Sequence, residues 1–223
     1  MGVVARLNLD AIQQSLHATQ RHFDAINGQL AAQRSPLTDE IIANMMEGYA
    51  FIDRALAEDV NLLAMGNSAL LLELNSLVLL GSEPGKRSDF SSHLQHTQNY
   101  FYDNEQGGIG FLMEWQEIHE VDSLWDRVAG LYIQILSQPQ LFIEGNHRTA
   151  ILLVSFVLVR EGYPPFVLKP EFAQELLDQS TSIESLKKHS LGMWLRIAGV
   201  RRLLADTFRH HLDSRHLLQD MGS

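Results

Sequence analysis

Apolar residues recur at helical spacing along most of the chain. Ile12, Leu16, Phe23, Ile26 and Leu30 approximate one stripe of an amphipathic helix, with Asp10 placed to cap it and the helix running toward Gln33. The stretch RSPLTDE breaks that pattern. Thr38 can cap a second helix that carries Ile41, Ile42, Met45, Met46, Tyr49 and Ile52 and reaches Ala57. AMGNSALLLELNSLVLLG reads as a largely buried helix ending at Gly81. Asp122 or Ser123 opens a helix through Leu136, and an apolar helix from about Arg148 to Arg160 stops at Gly162, ahead of Pro164 and Pro165. Pro170 opens a short helix, Thr181 and Glu184 have capping-box spacing for the next, and a last helix spans Leu191 to His211 or beyond.

Two stretches depart from this pattern. SEPGKRSDFSS, with Pro84 beside Gly85, is the most loop-like part of the chain. NYFYDNEQGGIGFLMEWQEIHEVDS suits a short β-hairpin: Tyr100, Phe101 and Tyr102 as one strand, Gly107, Gly108 and Gly110 as the turn, and Ile109, Phe111 and Leu112 as the return. The expected class is therefore all-α with one hairpin, without internal repeats.

Charge narrows the function classes. Seventeen basic and 27 acidic residues give a formal net charge of −10, which argues against broad nucleic-acid binding. With no cysteine, thiolate metal sites, disulfides and a cysteine nucleophile are excluded. The start MGVVARLNLDAIQQSL lacks a signal-peptide core, and Ile151–Val159 is far shorter than the ~20 residues of a membrane span. A cytoplasmic protein with no membrane partner is expected.

The chemistry concentrates where LFIEGNHRTAILL opens the apolar helix. A helix start leaves about four amides without partners and carries partial positive charge, so it suits a phosphate. Gly145 permits a sharp turn and close backbone approach, Asn146 adds an amide donor, Arg148 can grip phosphate oxygens, and Glu144 can hold magnesium. The plain alternative makes Asn146 a helix cap, Gly145 a turn residue, and Glu144 with Arg148 an exposed i,i+4 ion pair.

These residues resemble the central motif of the Fic (Fido) domain family, H-P-F-x-[D/E]-G-N-G-R-x-x-R. Phe142, Glu144, Gly145, Asn146 and Arg148 match it; Gln140 stands at the histidine position, Leu141 at the proline, His147 at the second glycine and Ile151 at the final arginine. The resemblance implies a Fic-like core over 67–199, an N-terminal helical extension over 1–66 and a C-terminal helix over 200–223. It also implies transfer of AMP, or a variant of it, from ATP or another nucleotide with magnesium to a protein hydroxyl. A protein substrate would dock at the flap near Tyr100–Phe111. Glu144 would place the metal, and Gly145, Asn146, His147 and Arg148 the phosphates. Gln140 cannot accept a proton at neutral pH, so the usual general base is missing. His147 can replace it, since the helix dipole disfavours imidazolium. The other reading is a catalytically inactive module that keeps the fold to bind a nucleotide or a protein partner.

Family members often carry an inhibitory glutamate on a nearby helix. ANMMEGYAF offers Glu47 followed by Gly48, with Ala43 where a serine or threonine is expected. A metal site at His93 and His96, or at His210, His211 and His216, is a minor alternative to solvated helix faces.

Overall fold

The computed structural model describes residues 5–103, 108–188 and 191–218, with backbone alone for 191–195. Among these the chain is all-α. The helices are α1 (Leu9–Asn27), α2 (Asp39–Ala57), α3 (Ser68–Leu80), α4 (Pro84–Asp89), α5 (Ser91–Phe101), α6 (Ile109–Ile118), α7 (Leu124–Leu136), α8 (Asn146–Arg160), α9 (Pro170–Glu184) and α10 (Leu191–His210), followed by a 3-10 turn at Ser214–His216. No strand occurs among the described residues, only the isolated bridges Leu7 with Leu217 and Gln138 with Lys187. None of the described helices is long and apolar enough to cross a membrane.

Local chemistry sets many of the boundaries as predicted. Thr38 caps α2 by accepting from the Ile41 amide at 3.3 Å, and Ser123 caps α7 by accepting from the Asp126 amide at 3.2 Å. Gly81 ends α3 at φ +70°, where a Cβ would be strained, and Pro170 occupies the first turn of α9.

Other boundaries differ, each for a visible reason. The cap of α1 is Asn8, not Asp10, because the Asn8 side chain accepts from the Ala11 amide at 3.2 Å. The same helix stops at Asn27, well short of Gln33. The Asn27 side chain accepts from the Arg34 amide at 2.7 Å and donates to the Arg34 carbonyl at 3.0 Å, which folds the chain back. The loop-like SEPGKRSDFSS is helical over α4 and the start of α5. Arg87 ties it to α3 by reaching the Gly81 carbonyl at 2.7 Å and both Glu73 oxygens at 2.9 and 3.0 Å.

The expected hairpin arms are also helical. Tyr100 and Phe101 belong to α5 and Tyr102 ends it, while Ile109, Phe111 and Leu112 belong to α6; of the expected turn, Gly108 precedes α6 and Gly110 lies inside it, and Gly107 lies outside the described residues. Burial explains the arms: Thr97 and Phe101 bury at a spacing of four and Ile109 and Leu112 at a spacing of three, both helical intervals. Thr181 and Glu184 do not open a helix, because α9 continues through both. The Thr181 hydroxyl donates to the Leu177 carbonyl at 3.0 Å, one turn back.

The most deeply buried helix is α8. Every residue from Thr149 to Val159 is buried, since α2, α3 and α7 pack against it. One hydrophobic core runs through all three expected segments, from Ile12 and Tyr49 through Leu152 to Phe208. The segment before α1 meets the segment after α10. The Arg6 guanidinium pairs with the buried Asp53 carboxylate at 2.5 Å, and the Asn8 amide donates to the His216 carbonyl at 2.8 Å.

Gly48 lets α2 approach α8. A Cβ there would overlap the side chain of Leu152, which is fully buried and cannot move aside freely. Gly48→Ala is therefore expected to lower stability by about 1–2 kcal/mol, overpacking outweighing the helix-propensity gain of roughly 1 kcal/mol. Urea denaturation checks this; a stabilised variant contradicts the packing argument.

Candidate functional site

The polar opening of α8 is built on α3. Gly145 sits in the left-handed region at φ +77°, and a Cβ at that position would lie 2.9 Å from Asn75 Nδ2 and 3.2 Å from Leu79 Cδ2. Asn75, buried in α3, donates to the Glu144 carbonyl and to the Thr149 hydroxyl, both at 3.0 Å. The turn is thus clamped to α3 from both sides of Gly145.

Asn146 turns inward. Its Oδ1 accepts from the Phe142 amide at 2.9 Å, and its Nδ2 donates to the Phe142 carbonyl at 2.7 Å and to Gln140 Oε1 at 3.1 Å. Asn146 therefore closes the 140–146 loop instead of capping α8, and Gln140 spends its side-chain oxygen on that closure. The peptides around Gln140 are held from two more directions: the Tyr100 hydroxyl donates to the Gln140 carbonyl at 3.0 Å, and Lys188 Nζ donates to the Pro139 carbonyl at 2.6 Å. Burial pulls the Lys188 amine down to about 8. Phe142 stacks on Phe101 at 5.2 Å and so anchors the loop to α5.

The amides remain. Among the described residues the backbone N–H groups of Asn146, His147 and Arg148 have no hydrogen-bond partner, while the Thr149 amide already bonds the Gly145 carbonyl at 3.0 Å. Arg148 Nη1 donates to the Val78 carbonyl at 2.8 Å, near the C-terminal end of α3. Burial lowers the pKa of this guanidinium, and Glu144 opposes the shift. Glu144 itself is exposed and makes no ion pair with Arg148 among the described residues. The i,i+4 pair of the plain alternative is absent because Arg148 is spent on α3.

His147 faces away from the loop. Its Nε2 lies 2.6 Å from Glu184 Oε1 on α9 and its Nδ1 lies 3.3 Å from the buried Tyr132 hydroxyl on α7. Glu184 also receives Arg34 Nη1 at 3.2 Å. The hydrogen bond from His147, followed by that from Arg34, holds the Glu184 carboxyl down at about 2, against the opposing effect of burial. A carboxylate can only accept, so Nε2 carries the proton in this contact. The nitrogen left for proton acceptance is Nδ1, which meets Tyr132.

The remaining expectations are placed as follows. Glu47 lies on α2 beside Gly81 and makes no ion pair among the described residues; a Cβ on Gly81 would be 3.1 Å from its carboxylate. His216 is buried against Ser15 at 2.9 Å, and His211 stacks on Phe172 at 4.3 Å. No group of three or more potential metal-binding side chains exists among the described residues.

The sequence did not point to Asn75, Arg34, Tyr132 or Lys188 as site residues, and it offered Glu184 only as a capping-box residue. Their partners lie far away in the chain: 69 residues separate Asn75 from Glu144 and 150 separate Arg34 from Glu184. No local spacing could reveal them, although Asn75 as one of few polar residues inside SALLLELNSLVLL was a visible anomaly.

Among the described residues these groups are three amides without a hydrogen-bond partner, one guanidinium with a single hydrogen bond, to the Val78 carbonyl, and an exposed carboxylate. Such groups can hold an anion. Comparison of the chain with protein-family models, with curated proteins and with solved structures finds no match in any of the three.

Proposed function

We propose that this chain is a Fic-like module whose α8 opening binds the phosphates of a nucleotide, without conventional AMP transfer. The observation that carries the reading is the pairing of open and closed groups at one loop. Among the described residues the amides of residues 146–148 have no partner, while the Gln140 side chain, at the position where a base would stand, is locked onto Asn146. Backbone amides at a helix start and an adjacent guanidinium are sufficient for phosphate oxygens. An amide side chain already engaged as an acceptor is not sufficient for proton abstraction. Exposed Glu144 would supply one oxygen to magnesium, which would offset phosphate charge.

A transferase reading has one specific observation in its favour. Glu184 orients His147 at 2.6 Å, which is the way a carboxylate positions an imidazole base. The proton would then be taken at Nδ1, which would have to exchange Tyr132 for the acceptor hydroxyl.

Calorimetric titration with magnesium complexes of ATP, GTP and CTP, followed by intact mass of the chain after incubation with a candidate protein target, separates the two. The expected result is saturable binding without added mass on either protein. Arg148→Lys, which keeps charge but loses the fork, is expected to weaken binding about tenfold. Added mass on the target that disappears in Glu184→Gln supports the transferase instead.

A further inference from the structure

A second site lies toward the other end of α8. A cavity of about 540 Å³ opens between α6, α7, the C-terminal half of α8 and the connection from α2 to α3. That volume is in the range of small-molecule sites, which run from about 300 to 1,000 Å³. Nothing in the polar opening of α8 lines it.

Its wall is an aromatic plate set into place by a glycine. The Cζ2–Cη2 edge of the Trp115 indole of α6 abuts Gly130 of α7, where any Cβ would overlap the ring. The His119 ring sits 4.7 Å from Trp115, fixed by a 2.8 Å contact from Nδ1 to Asp122. Leu131 and Phe156 complete the floor, with the Arg160 guanidinium over the Phe156 ring at 5.7 Å from its centroid.

The charges at the rim do not cancel. Arg127 pairs with Glu161 at 3.0 Å, and Arg160 pairs with Asp59 at 3.5 Å, so both cations at the cavity already have carboxylates. Glu117 and Glu120 also line the cavity, both are exposed, and neither has an ion-pair partner among the described residues. The net free charge facing the cavity is negative. An indole face attracts cations as well, more strongly than any other aromatic side chain.

From this geometry we infer that the cavity binds a small organic cation, an amine with an aromatic or aliphatic body. The ammonium is held by Glu117 and Glu120 over Trp115, and the apolar body rests on Leu131 and Phe156. The inference is independent of the nucleotide reading, because the two sites share no residue.

The test uses the full chain and three ligands of one size: 2-phenylethylamine, 2-phenylethanol and 3-phenylpropionate. Calorimetry reads affinity, and a parallel heteronuclear NMR titration reads the Trp115 indole N–H. The expected result is that the amine binds about tenfold or more tighter than the alcohol, shifts the Trp115 signal, and exceeds the carboxylate by a wider margin. The double variant Glu117→Gln, Glu120→Gln changes only exposed groups and is expected to bring the amine to the level of the alcohol, with an unchanged thermal midpoint. Equal affinity for amine and alcohol, preference for the carboxylate, or no saturation by any of the three at about 10 mM overturns the inference.

Discussion

Asn146→Ala is expected to lower stability by about 3 kcal/mol, and Asn146→Asp by at least as much. The alanine variant strips the partner from the Phe142 amide and from the Phe142 carbonyl, both in a residue that is only 1% exposed. Each buried group left unmade costs roughly 1–3 kcal/mol. The aspartate variant discriminates between two views of the residue. If Asn146 only started α8, a carboxylate there would be neutral or stabilising by up to about 1 kcal/mol, because it complements the helix dipole. In the observed geometry the new oxygen replaces an amide nitrogen that donates to the Phe142 carbonyl and to Gln140 Oε1, so acceptor meets acceptor twice. Chemical denaturation of both variants decides: aspartate as stable as the parent contradicts the loop-closing role. Glu144→Gln, at an exposed position in the same loop, is the control and is expected to stay within about 0.5 kcal/mol.

The second large effect is a loss of stability on mild acidification. His216 is 1% exposed. Burial lowers its pKa to about 4; Asp213 opposes the shift, while Lys169 and Arg215 add to it. From α1, Ser15 contacts Nε2 at 2.9 Å, and Nδ1 is buried without a partner. The unfolded chain binds a proton near pH 6.5, so between 6.5 and about 4 it holds more protons than the folded chain. Stability is therefore fully present above about 6.5 and falls as pH drops toward 4, by about 2–3 kcal/mol across the window. The residue joins the segment after α10 to the start of α1, since its carbonyl accepts from the Asn8 amide. Urea midpoints at a series of pH values are expected to show this slope in the parent and a flatter one in His216→Gln. The Glu184 carboxyl acts mainly at lower pH, below its unfolded value of 4.5 and down to about 2, so above about pH 5 the slope reports His216 and not Glu184. An unchanged slope in His216→Gln contradicts the assignment.

How much of this was legible in the sequence depended on the range of the interaction. Caps and stops are decided within four residues, and Thr38, Ser123, Gly81 and Pro170 do what their types predict. Aromatic and glycine composition misled at 100–112, because strand propensity says little once Thr97, Phe101, Ile109 and Leu112 have a helical burial interval. The site divides in the same way. Gly145 and the start of α8 follow from the local pattern. The inward turn of Asn146, the commitment of Arg148 to Val78 and the pairing of His147 with Glu184 depend on where α3 and α9 pack, which no spacing encodes. Gly48 shows the converse: a glycine beside a candidate regulatory glutamate is explained by the approach of Leu152.

The free amides at the head of α8 are the center of the functional reading, and amide-resolved NMR tests them most directly. Magnesium–ATP is titrated into labelled protein, and the signals of Asn146, His147 and Arg148 are followed. The expected result is a saturable shift of all three together with Gly145, reproduced by inorganic pyrophosphate and weakened in Arg148→Lys. Signals that stay in place while nucleotide binds elsewhere, or that do not move at any concentration, contradict the account and leave this loop a packing device alone.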